Sequence, residues 1–262
     1  MAKKGKTVES STNKSRQMER QFMIGDRLNF ASAEAYKLLR TNITFSFPGD
    51  ESHHIIGMTS SLKGEGKSIT SINLAYTIAE ADKKVLLIEG DMRLPTLAKR
   101  LNLHAKPGLS NLLVGLNAVA AAIQPYKVKS GEKEIILDVI VSGDVPPNPA
   151  ELLASGRMQN LLEKLRERYD YVILDLPPVT AVSDALVASR LVDGMVVVVR
   201  NGHAVRGALA ETIRQLRLGE AHILGFVFNG AGDSESRYYY KKGYYSKYYQ
   251  SYQNDGYAYG SK

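Results

Sequence analysis

The chain contains no cysteine, which excludes disulfides and thiol chemistry and fits a reducing, cytosolic setting. It has no apolar run near the ~18 residues that a membrane-spanning helix needs. Its opening, Met1-Ala2-Lys3-Lys4-Gly5-Lys6, leads into polar sequence and lacks the apolar core of a secretion signal. Residues 1–20 are rich in Lys, Ser and Thr, have almost nothing to bury, and are expected to form a disordered basic arm. Lys3, Lys4 and Lys6 can touch acidic lipid headgroups there or simply stay solvated. The other end is also short of core formers. Between residues 238 and 259 there is no Leu, Ile, Val or Met, and ten of the chain's 15 tyrosines fall in that span. Disorder is expected there too.

What remains is ordinary globular sequence. The 262 residues are 44% hydrophobic, enough for one large or two small domains with a sizeable core. A net charge of +7 is compatible with nucleic acid, acidic lipid or an acidic partner. Basic tails on a soluble protein account for it without a specific nucleic-acid site.

The chain is organised around residues 54–68. The apolar run Ile55-Ile56-Gly57-Met58-Thr59 predicts a strand and ends in a small polar turn closing on Gly64-Glu65-Gly66-Lys67-Ser68. A helix is expected from about 68 to 81. Strand, glycine-bearing turn and helix start form a phosphate-binding loop. Gly64 and Gly66 let backbone N–H groups crowd around phosphate oxygens, and the helix directs its positive end at the same point. Lys67 can reach the terminal phosphates, and the Ser68 hydroxyl can ligate Mg²⁺. The pattern is relaxed at one place, where Ser61 stands instead of the leading glycine.

Ser32 to about Phe45 predicts a helix, with Ser32 as N-cap and Ala35, Leu38, Leu39 and Ile43 as its apolar stripe. Glu34, Lys37 and Arg40 form a charge row, either solvated or paired with a neighbouring subunit. Val85-Leu86-Leu87-Ile88 predicts a second strand running into Glu89-Gly90-Asp91-Met92-Arg93. Its two carboxylates sit at a strand's C-terminal tip, the edge where open α/β sheets bind ligands, and are expected to serve catalysis or metal binding. Short helices are predicted at 108–115 and 118–123, a strand at 135–141, and one helix opened by Pro149 whose buried face carries Leu152, Leu153, Leu161, Leu162 and Leu165. Tyr171–Leu174 predicts a buried strand tipped by Asp175, which would hold Mg²⁺ directly or through water. Asp184 is either a helix-terminal acid or a neighbour of the site. All-apolar strands at 195–199 and 223–227 flank a helix at 205–216. Strands apolar on both faces and alternating with helices predict an α/β, P-loop NTPase-like fold, a mostly parallel sheet covered on both sides.

The tail's Tyr238, Tyr239, Tyr240, Tyr244, Tyr245, Tyr248, Tyr249, Tyr252, Tyr257 and Tyr259 have three competing uses. They can stack on single-stranded bases with help from Lys241, Lys242 and Lys247, act as a sticky low-complexity segment, or accept phosphoryl groups. Only the last links the tail to the nucleotide loop of the same chain.

Taken in order, these blocks resemble the bacterial tyrosine kinases of capsule and exopolysaccharide assembly, over about residues 30–262. The blocks are Glu34-Ala35-Tyr36-Lys37-Leu38-Leu39-Arg40, the loop Ser60–Ser68, Leu87-Ile88-Glu89-Gly90-Asp91-Met92-Arg93, Pro146-Pro147-Asn148-Pro149-Ala150-Glu151-Leu152-Leu153, Val172–Asp175 and the tyrosine cluster. The sequence departs from the family pattern at Glu89, usually Asp, at Lys37, usually Arg, and at Lys63, often Pro. With the arm at 1–20 read from composition, the resemblance implies a kinase domain at 21–232 and a flexible tyrosine cluster at 233–262. It implies transfer of the ATP γ-phosphoryl group to those tyrosines. Ser61, Gly64, Glu65, Gly66, Lys67 and Ser68 would bind nucleotide, with Asn229 near the adenine. Ser68, Asp91 and Asp175 would hold Mg²⁺, and Glu89 would be the base. It also implies a membrane adaptor that activates and recruits a cytoplasmic kinase, a homo-oligomeric ring contacted through Glu34, Lys37 and Arg40, and a cognate tyrosine phosphatase. The alternative is an ATPase switch of the partition and septum-site type, against which stand the tail and Leu62, where those proteins carry a lysine.

Overall fold

A computed structural model describes residues 25–230, apart from 48, 50–52 and 131. The basic arm and the tyrosine cluster therefore lie outside the described residues. Short runs of Val, Ile and Leu build a seven-stranded sheet. Its strands are β1 (His54–Ser60), β2 (Val85–Glu89), β3 (Gln124–Ser130), β4 (Lys133–Ile140), β5 (Tyr171–Asp175), β6 (Gly194–Arg200) and β7 (Ile223–Asn229). The spatial order is β3-β4-β2-β5-β1-β6-β7. Every neighbouring pair is parallel except β3 with β4. The three central strands are buried along their whole length, as strands covered on both faces must be.

The helices divide between the two faces. On one lie α1 (Phe30–Phe45), α2 (Lys67–Glu80) and α3 (Leu97–Leu101), whose Ile43, Ile72, Leu74, Ile78, Leu97 and Leu101 pack on Ile56, Met58, Leu87 and Ile173. The other carries α4 (Leu109–Leu113), α5 (Val119–Ala122), α6 (Pro149–Leu153), α7 (Gly156–Arg166), α8 (Asp184–Ala188) and α9 (Arg206–Leu218). There Leu109, Met158, Leu162, Leu165 and Leu216 pack on Ile55, Leu86, Ile88, Val172 and Leu174.

Several local expectations change. The α1 cap is Asn29, whose side chain accepts from Ser32 N at 2.8 Å, so Ser32 is inside the helix. Of the expected stripe, Ile43 is buried and Leu39 packs on the core, whereas Ala35 and Leu38 face solvent. The helix expected after Pro149 is two helices. Ser155 caps the second by accepting from Met158 N, which starts a new helix directly after α6. The strand β3 was not expected, because its Lys-rich exposed positions hide the inward Tyr126 and Val128. The strand β7 is an edge strand rather than a buried one, with Phe226 and Phe228 more than half exposed.

One close approach fixes the loops on the β4 side. A Cβ on Gly108 would collide with Gly143 N and Val141 O, where Leu109 N and Ser110 N donate to Val141 O and Ser142 O at 2.8 and 2.9 Å. Gly156 by contrast begins α7 with open space around it. Gly108→Ala is therefore expected to lower stability by about 1–3 kcal/mol, and Gly156→Ala to raise it by about 0.4–1 kcal/mol. Urea unfolding midpoints at unchanged m-value would read both.

Candidate active site

Register brings the acidic tips together. Asp175 ends β5 opposite Glu89 of β2 and Met58 of β1. The chain after β1 then turns into the loop 61–66, and every backbone carbonyl of that loop accepts a hydrogen bond. Ser61 O takes one from Thr180 Oγ1 (2.5 Å), Leu62 O from Ser60 Oγ (2.9 Å) and Gly64 O from Arg200 Nη1 (3.0 Å). Glu65 O takes one from Asn229 Nδ2 (2.9 Å), and Gly66 O takes two from Thr70. Lys63 O lies 2.9 Å from His203 Nε2, which must carry the ring proton to make that bond. With its carbonyls tied off, the loop offers N–H groups as its remaining backbone polarity, which suits an anion. Glu65 reinforces the turn by accepting from Leu62 N at 2.8 Å. Gly66 has φ +93°, and a Cβ there would collide with Asn229 Nδ2. Ser61 places a buried hydroxyl, without a hydrogen-bond partner, under the same turn.

Lys67 opens α2 and reaches across to the acids. Its Nζ is 3.0 Å from Asp91 Oδ2 and 3.7 Å from Asp175 Oδ1. Burial works against the ammonium, but Asp175, Asp91 and Glu89 together hold its pKa above the ordinary lysine value. Burial drives the Asp175 carboxyl up, against the opposing pull of Lys67 and of the Ser68 and Ser71 hydroxyls. Asp91 is anchored by its own backbone, since Gly90 N and Asp91 N donate to Asp175 O at 2.9 and 3.0 Å. Its Oδ1 accepts from Leu94 N at 3.1 Å.

The donor set fits Mg²⁺. Asp175 Oδ2 is buried with no hydrogen-bond partner, and Ser68 and Asp91 supply further oxygens beside it. Among the described residues no three His, Cys, Asp or Glu side chains gather as a self-sufficient metal cluster.

Other residues fall elsewhere. Glu89 is 1% exposed, and both carboxylate oxygens already accept backbone N–H groups. One takes Thr96 N and Leu97 N, the latter at 2.7 Å, and the other takes Ser142 N at 3.0 Å. Glu89 is thus held by three backbone amides, whereas the Asp91 carboxylate meets Lys67. Asp184 is fully buried and grips Arg93 through two bonds of 2.9 and 3.0 Å. Glu34 and Lys37 pair within α1 at 2.8 Å, and Arg40 donates to Thr77 O of α2 at 2.6 Å. Thr180, Arg200 and His203 were missed. The signal for the last two was the polar turn Arg200-Asn201-Gly202-His203 directly after an all-apolar strand beside β1.

A phosphate loop whose lysine meets two strand-tip aspartates, on a parallel sheet with helices on both faces, defines a P-loop NTPase-like nucleotide-binding domain. A family model described as an AAA domain matches residues 53–224. The chain is 36% identical over 233 residues to the tyrosine-protein kinase YwqD of Bacillus subtilis, covering 89% of this chain and 94% of that protein. The solved kinase domain of the Escherichia coli tyrosine kinase ETK superposes with a TM-score of 0.70 at 35% identity, over 76% of this chain and 75% of that one. The cell-division ATPase MinD of Pyrococcus furiosus shares the fold at 22% identity and a TM-score of 0.56, over 69% of this chain and 74% of that one. This chain belongs to the bacterial protein-tyrosine kinase family.

Lys67→Met strands two buried carboxylates. It is expected to cost about 3–5 kcal/mol at pH 8. Burial raises the Asp175 pKa and Lys67 opposes it, so losing Lys67 raises that pKa further and makes the ionised carboxylate costlier in the fold. The Asp175 contribution to stability is full at acid pH and is lost as pH rises through the folded value. The deficit of Lys67→Met relative to the parent should therefore shrink as pH falls from 8 to 5. Denaturant unfolding at both pH values measures it.

Proposed function

We propose that this chain autophosphorylates, passing the γ-phosphoryl group of Mg·ATP to tyrosines of the 233–262 cluster of a neighbouring subunit. The observation that carries this is the convergence of Lys67, Asp91 and Asp175 on the phosphate loop. Lys67 exchanges carboxylate partners for β- and γ-phosphate oxygens as nucleotide binds, and the loop amides hold the rest of the triphosphate. Ser68, Asp91 and Asp175 hold Mg²⁺, whose contribution is to neutralise charge on the phosphates. Asn229 lies against the loop on the side of β7, in reach of the adenine. The transition state for phosphoryl transfer is loose, and the phenol's proton leaves with little help, so positioning and charge neutralisation supply most of the rate.

The family resemblance supports the wider setting. The kinase domain spans 21–232 between the basic arm and the tyrosine cluster. A membrane adaptor recruits it from the cytoplasm to the inner face of the membrane and activates it. Subunits assemble in a ring through the α1 row of Glu34, Lys37 and Arg40, and a cognate phosphatase resets the tail. Multiple phosphates on the tail weaken the ring by charge repulsion and so regulate capsule or exopolysaccharide synthesis and export. Among the described residues no helix is long and apolar enough to cross a membrane.

Incubation with Mg·ATP and the adaptor's cytoplasmic tail, followed by phosphosite mapping, is expected to give phosphotyrosine between residues 238 and 259. Lys67→Met is expected to abolish it. Steady phosphate release with ATP-driven dimers and no labelled protein would instead identify an ATPase switch.

A further inference from the structure

Glu89 occupies the tip of β2, and both of its carboxylate oxygens are engaged by backbone amides. One carboxylate oxygen accepts Thr96 N and Leu97 N, the amides that begin α3, and the other accepts Ser142 N, just past the end of β4. The loop between these anchors, residues 90–96, carries Asp91. Its first residues are pinned by the Gly90 N and Asp91 N bonds to Asp175 O, and its last by Glu89. In between, Leu94 N donates to Asp91 Oδ1. We infer that Glu89 is a positioning residue, a clasp that closes the Asp91 loop against the β4 side and so fixes the carboxylate facing Lys67. The inference rests on the kinase reading for its kinetic consequences and on geometry alone for the clasp.

Side-chain length is central to this role. The clasp must span from the β2 tip to two loops at once, and one methylene fewer shortens the reach by about 1.5 Å. A glutamine keeps that reach and one acceptor oxygen. Its amide nitrogen, however, would confront Ser142 N, donor against donor. A base would rank the variants the other way, because aspartate retains a carboxylate and glutamine does not.

The test compares the full-length parent with Glu89→Gln and Glu89→Asp. Amide hydrogen exchange is followed at residues 96, 97 and 142, and tyrosine phosphorylation is followed with Mg·ATP. In the parent all three amides should be protected; exchange near the unstructured rate there overturns the clasp even if neither variant folds. In Glu89→Gln, Ser142 should exchange at least about 10-fold faster while Thr96 and Leu97 stay protected, with kcat down about 10-fold. In Glu89→Asp at least one loop should lose protection, with kcat down about 100-fold and KM for ATP within about twofold of the parent. The inference fails if Glu89→Asp is near full activity, Glu89→Gln is at background and exchange is unchanged in both. If the parent labels no tyrosine, the kinase reading fails by itself, and the exchange rates still decide the clasp.

Discussion

The structure depends on a buried ammonium shared by two carboxylates. Lys67 sits between Asp91 and Asp175 with little water near any of the three. Removing such charges from solvent costs several kcal/mol each unless they meet partners. Here the partners come from the start of α2 and from the tips of two central strands, so the charges are compensated only when the sheet is in register. The cluster keeps more negative than positive charge, and one Asp175 oxygen has no donor. That residual demand for a cation lies beside a loop whose carbonyls are all engaged, a setting suited to a metal-bound polyphosphate.

The phosphate loop is held from outside. Six consecutive carbonyls are engaged by side chains from β1 itself, from α2, from the end of β6 and the turn after it, from the tip of β7 and from the segment after β5. Preorganised N–H dipoles need no reorganisation when charge arrives, which is why such loops act strongly on phosphates. Arg200, His203 and Thr180 serve this purpose without needing to touch a ligand. Glu89 does the same for the loop on the opposite side of Asp175. The site is thus a small set of reactive groups inside a larger shell that fixes their angles.

Much of this was legible from residue order. The apolar runs gave six of the seven strands, and the fold brings Asp91 and Asp175, both read from their places after strands, together at Lys67. The losses have physical causes. The exposed half of β3 consists of lysines and Pro125, which masks its alternation. The run in β7 is apolar on both faces, yet it lies at a sheet edge, so Phe226 and Phe228 remain in solvent. The α1 cap moved because Asn29 reaches Ser32 N, and competing caps three residues apart look alike in sequence.

The sequence by itself determined the class of chemistry. Gly64, Gly66, Lys67 and Ser68 follow an apolar strand, and local backbone physics makes that combination a phosphate cradle. Only the tertiary structure separated Asp91 from Glu89. Two carboxylates at alternate positions of one strand tip are equivalent on paper. Their surroundings diverged because the fold placed Lys67 beside one and three backbone amides beside the other, and those neighbours come from segments up to 53 residues away in the chain.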